Sequence, residues 1–83
     1  MSRIIESDIE RRVLDVVQEY WSDDGITLKS KLREDLEMDE DDIVELSLKV
    51  EAEFLVSLSS PRGWRKVRDI SESVLDVLEG GLE

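Results

Sequence analysis

Apolar residues recur at helical spacing in three stretches of the chain. Ile9, Val13, Val16, Val17 and Tyr20 form the first stripe and predict a helix over about residues 7–21. Ser7-Asp8-Ile9-Glu10 reads as a capping box at its start, and Asp8 stands four positions before Arg12 in the order that favours an ion pair. Ser22-Asp23-Asp24-Gly25 reads as its stop. Ile43, Leu46, Ser47, Val50 and Phe54 predict a second helix over about residues 39–55, with Asp39 as N-cap and Glu40, Asp41 and Asp42 in the first turn. Ile70, Val74, Val77 and Leu78 predict a third over about residues 69–79, capped by Asp69 and stopped by Gly80-Gly81.

The connections are patterned as well. Ile26, Leu28, Leu32, Leu36 and Met38 are spaced too regularly for a free linker and read as anchors, with room for a turn of helix between Lys29 and Leu36. The second connection is rich in turn formers from Ser57 to Gly63, with room for a short helix over about residues 63–68. The expected fold is therefore all-α: one domain spanning residues 1–83, built as a three- to four-helix bundle with a long loop between its first two main helices.

The middle helix carries a second strip. At 100° per residue Val44, Leu48 and Glu51 lie together, bordered by Glu40, Asp41 and Glu45. Charge runs usually lie on solvated faces. Two apolar residues framed by acids equally suit docking to a basic groove.

Composition narrows the possible functions. Twenty-two acidic residues against 11 basic ones give a net charge of −11, which opposes nucleic-acid binding and points to a protein partner with a basic surface. The same charge favours a monomer. The chain has no cysteine and no histidine, which removes thiolate metal sites, Cys nucleophiles and His-based acid–base chemistry. No catalytic residue is expected, because a bundle of 83 residues offers little cleft in which burial could retune a carboxylate. No metal site is expected either. The acids from Asp35 to Glu45 miss the EF-hand template, with Glu40 at its glycine position and Leu46 at its final glutamate. No apolar run reaches the roughly 20 residues of a membrane span, and MSRIIESDIERR lacks a signal-peptide core, so a cytoplasmic location is expected. Arg62, Arg65, Lys66 and Arg68 form a local basic patch, expected to pair internally with the acidic helix; an acidic partner is the alternative. Trp21 and Trp64 are expected to pack at the edge of the core.

Taken in order, Ser7 to Val13, Ile26-Thr27, Glu34-Asp35-Leu36, Asp39 to Phe54, and Val67, Ile70, Val74 and Val77 resemble the acyl carrier protein family over nearly the whole chain. The resemblance implies that family's helical bundle and the use of its second helix to dock onto enzymes. Asp39, Asp42, Glu45 and Glu51 match acids in that docking pattern, and Val44 and Leu48 match its apolar contacts. Family members carry 4′-phosphopantetheine on a serine within an Asp-Leu-Gly-x-Asp-Ser-Leu string. Here the string reads Asp35-Leu36-Glu37-Met38-Asp39-Glu40-Asp41, so Glu40 stands at the serine and Asp41 at the leucine. A carboxylate cannot accept the arm through a phosphodiester, and no cofactor is expected. Glu40 is then either an ordinary first-turn acid or a charge standing in for the missing phosphodiester. The expected function is non-catalytic binding of a protein partner through Asp39, Glu40, Asp41, Asp42, Val44, Glu45, Leu48 and Glu51. The alternatives are a diverged carrier in fatty-acid or secondary-metabolite synthesis with an unusual modification, and an acidic mimic that inhibits a nucleic-acid-binding protein.

Overall fold

A computed structural model describes residues 5–21, 25–58 and 61–80. Within them the protein is all-helical: α1 (Glu6–Tyr20), α2 (Glu40–Phe54), a 3-10 turn η1 (Pro61–Gly63) and α3 (Val67–Gly80). α1 packs most extensively on α3 and also against α2, while α2 meets η1.

Each helix turns most of its predicted stripe inward; in α3 the inward face is shifted toward its start, with Val67 and Ser71 joining Ile70 and Val74, while Val77 is only partly buried. Ile9, Val13, Val16 and Val17 of α1 are buried, as are Ile43, Leu46, Ser47 and Val50 of α2, and Val67, Ile70, Ser71 and Val74 of α3. Phe54, Tyr20 and Leu78 are partly buried at its margin. The two buried hydroxyls are satisfied within their own helices: Ser47 donates to the Val44 carbonyl, and Ser71 to the Arg68 carbonyl at 2.7 Å. A hydroxyl bonded this way adds no unmet polar group to the interior.

The long connection between α1 and α2 is part of the core. Ile26, Leu32, Leu36 and Met38 are buried and Leu28 partly so. Leu28 to Lys31 runs beside the start of α3. Lys31 and Lys66 form an isolated antiparallel bridge, with Leu32 N–H donating to Arg65 O (2.8 Å), Val67 N–H to Ser30 O (3.0 Å) and Arg68 N–H to Leu28 O (2.9 Å). Between Lys31 and Met38 the backbone closes on itself through wide turns, Asp35 and Leu36 N–H both reaching Lys31 O and Met38 N–H reaching Leu32 O, without becoming an α-helix.

The helix ends differ from the sequence expectation in three places. α1 begins before Ser7. Ile5 is its N-cap, makes no side-chain cap bond, and its carbonyl accepts from Asp8 and Ile9 N–H. Ser7 therefore sits inside the first turn and cannot close a box with Glu10, while Glu6 and Asp8 supply the negative charge that suits that end. Asp69 does not cap α3 from outside; it lies in the first turn and its carboxylate reaches back to Arg65 N–H (2.8 Å) and Lys66 N–H (3.0 Å). The short helix expected at residues 63–68 is instead the single 3-10 turn Pro61–Gly63, and α3 has already begun at Val67. Ser22-Asp23-Asp24, the first residues of the stop signal for α1, lie outside the described residues, as do Ser59, Ser60 and Gly81.

At α2 the capping chemistry is reciprocal. Asp39 Oδ1 accepts from Asp42 N–H (2.9 Å) and Asp42 Oδ2 from Asp39 N–H (3.1 Å). Two donors left over by the helix geometry are thereby satisfied, and the start of α2 is fixed at Glu40.

Candidate functional site

α2 presents to solvent the face that α1 and the core leave uncovered. Glu40 is its first residue, and Asp39, Glu40, Asp41 and Glu45 are exposed while Asp42 is half-buried. Val44 is partly buried and Leu48, one turn further on, is 59 % exposed. A large apolar side chain held this open among carboxylates has its contact surface available to another molecule.

Several of these acids also have partners within the chain. Glu40 Oε2 meets Arg62 Nε at 2.9 Å, so part of the basic patch pairs with the acidic helix, with both side chains largely in solvent. Asp39 and Asp42 hold each other in the cap. Glu45 Oε1 accepts from the Tyr20 hydroxyl at 2.9 Å. Glu51 has the most committed role: its carbonyl accepts from Leu55 and Val56 N–H, and its carboxylate from Leu58 N–H at 2.6 Å. It ties down the chain as it leaves α2. Among the described residues Asp41 makes no ion pair or side-chain hydrogen bond. The candidate face thus sorts into Asp41 and Leu48, which are exposed and unengaged; Val44, which is partly buried beside them; Glu40 and Glu45, exposed but bonded; and Asp39, Asp42 and Glu51, which shape the helix ends.

Sequence reasoning missed Leu55. It follows Leu48 by seven positions, close to the same side of the helix, and is 90 % exposed. It also closes α2 in the left-handed conformation, with φ 57 and ψ 46. Glycine is the residue usually found there, because a Cβ costs roughly 1–2 kcal/mol in that region. A fully exposed leucine kept at a position where glycine would be more stable extends the apolar strip to the end of the helix. The predicted end of α2 near residue 55 holds, and the signal for the strip was available in the period of Val44, Leu48 and Leu55.

The opposite flank of α2 is held to α1. Arg12 Nη2 donates to Glu53 Oε2 (3.1 Å) and to Glu53 O (3.3 Å), and its guanidinium lies 4.5 Å from the Phe54 ring centre. Arg12 is therefore engaged with the end of α2, and the ion pair expected with Asp8 does not form. Lys49 lies 5.5 Å from the Tyr20 ring centre over a groove of ≈ 360 Å³ that includes Val16, Glu19 and Glu53. The mixed lining suits no acyl chain.

The titration of Tyr20 is displaced upward. Its partial burial raises the pKa, and the adjacent Glu45 and Asp42 carboxylates raise it further, from 10.0 to about 12. The raised folded-state value means that the bond to Glu45 contributes fully below pH 10 and is lost as pH climbs through about 12. Because the chain has one tyrosine, phenolate absorbance reads this directly. The midpoint is expected near 12 in the folded protein and near 10 in denaturant, and the alkaline loss of stability should shrink in Tyr20→Phe.

No family model matches the chain, and no curated protein matches it. The site is therefore read from its own chemistry. Among the described residues no group of three or more Asp or Glu side chains is arranged to hold a metal ion, and no helix is long and apolar enough to cross a membrane.

Proposed function

We propose that this chain is an acyl-carrier-like protein that acts without catalysis, as a cytoplasmic monomer, by docking α2 onto the basic surface of a protein partner. The observation that carries this reading is Leu48, 59 % exposed in the middle of an acid-rich helix whose other face is fully buried. Val44 and Leu55 continue the apolar strip on either side of it, and Glu40, Asp41 and Glu45 border it with charge. Such a centre of apolar contact with a polar rim is the usual anatomy of a protein interface. The helix order and the ordered connection before α2 are compatible with the family the sequence resembles.

Glu40 gives the docking its character. It opens α2 where the resembled family has its phosphopantetheine serine, so the charge at that helix end is built into the chain and needs no transferase. Co-expression with a phosphopantetheinyl transferase is expected to leave the intact mass unchanged; a gain equal to one phosphopantetheine would place an arm on another residue and overturn the arm-free reading. Docking itself is tested by affinity capture. A partner captured by the wild-type protein should be captured markedly less by Leu48→Ala, and equal capture by the variant would remove α2 as the docking element.

A further inference from the structure

A second site of opposite charge lies beside α2. The bridge between Lys31 and Lys66 brings the α1–α2 connection against the start of α3, and η1 closes the third side. The resulting cleft of ≈ 670 Å³ is lined by five cations, Lys31, Arg33, Arg62, Arg65 and Lys66, with Glu34 as the one acid. Five of the 11 basic residues thus converge on one depression of a chain whose net charge is −11. Chance placement of cations on an acidic surface would intersperse them with its 22 acids.

The backbone that carries two of these cations is fixed. The Asp69 carboxylate fixes the backbone of Arg65 and Lys66 by accepting both N–H groups, and the Arg65 carbonyl is held by Leu32 N–H at 2.8 Å. Trp64 is 4 % exposed and anchored through its indole N–H to Ser73 Oγ at 2.8 Å, which gives the cleft a rigid floor. Two of the five cations have anionic neighbours: Lys31 meets Glu34 at 3.8 Å, and Arg62 meets Glu40 at 2.9 Å. Arg33, Arg65 and Lys66 make no ion pair among the described residues.

We propose that this cleft binds a small phosphate-bearing molecule, with Arg33, Arg62, Arg65 and Lys66 as its ligands. Three guanidinium groups favour phosphate, whose oxygens accept their paired N–H donors two at a time. The volume falls in the range of small-molecule sites. A compact ligand keeps all its charge inside the cleft. A long polyanion, whether nucleic acid or acidic peptide, would lay its remaining charges across the acids outside. Arg62 links the two sites, because a bound phosphate competes with Glu40 for its guanidinium. This inference does not rest on docking by α2, and either can fail alone.

The test is an amide NMR titration of the whole chain with sodium pyrophosphate at constant ionic strength, set against sodium chloride and a glutamate-rich peptide. Saturable shifts are expected at Arg33, Gly63, Arg65, Lys66 and the Trp64 indole, with the Trp21 indole unmoved. The double variant Arg33→Gln/Arg65→Gln should weaken binding about tenfold, as expected for two exposed charge contacts. Glu40→Gln should tighten it about twofold by freeing Arg62, and Arg11→Gln, on α1, should leave it unchanged. The same spectra show whether each variant is folded. Shifts reproduced by sodium chloride, wild-type affinity in the double variant, or saturation by the peptide at lower concentration than pyrophosphate would each overturn the proposal.

Discussion

Leu32→Ala is expected to lower the unfolding free energy by about 2–5 kcal/mol, although the residue lies in a connection and not in a helix. Leu32 is 0 % exposed, and its backbone is held at both ends, N–H to Arg65 O and carbonyl to Met38 N–H. Those bonds keep the surrounding chain from collapsing into the space the side chain leaves, so both the lost transfer energy and the cavity count against the variant. A domain of this size has roughly 5–12 kcal/mol of stability in total, so the loss is a large share. At about 4–8 °C per kcal/mol it should lower Tm by roughly 10 °C or more, read by thermal unfolding. Leu46→Ala, in the buried face of α2, should cost a similar amount. If the connection were a linker lying over the surface, Leu32→Ala would instead change stability by less than about 0.5 kcal/mol.

The burial of Leu32 was legible in the sequence, since apolar residues at Ile26, Leu28, Leu32, Leu36 and Met38 have no reason to recur in a solvated loop. The three stripes and the Asp39 cap were legible for the same reason: each depends on residues a few positions apart. What escaped depends on distant partners. Nothing near Lys31 signals that its backbone pairs with Lys66, or that the cations of two connections meet in one cleft. The start of α1 escaped because Ser7 has a plausible capping sequence. A helix gains one bond for each residue it adds, and the Ile5 carbonyl takes those bonds first. Glu51 matched a docking pattern by position, yet its carboxylate turns back to Leu58 N–H. Spacing places a residue on a face; it does not say which side chains on that face are already bonded.

Binding and stability should separate at Leu48 and Leu55. Leu48 contributes little to the core, and alanine is the better helix former, so Leu48→Ala is expected to change the unfolding free energy by no more than about 0.5 kcal/mol. Burying a leucine fully is worth about 1.5–3 kcal/mol, and 59 % of Leu48 is open to be buried by a partner. The variant should therefore weaken docking by roughly 1–2 kcal/mol, or about five- to thirtyfold in Kd. Asp41→Asn should act differently, lowering the association rate and flattening its salt dependence, because an exposed charge at the rim steers the encounter more than it holds the complex. Leu55→Gly gives the sharpest separation. Relief of the left-handed backbone strain should stabilise the fold by about 1 kcal/mol while removal of the 90 % exposed side chain weakens docking. A more stable protein that binds less well would mean that the chain keeps leucine there for its surface. If Leu55→Gly gained stability with docking unchanged, the strip would end at Leu48, and the interface would be confined to the acidic half of α2.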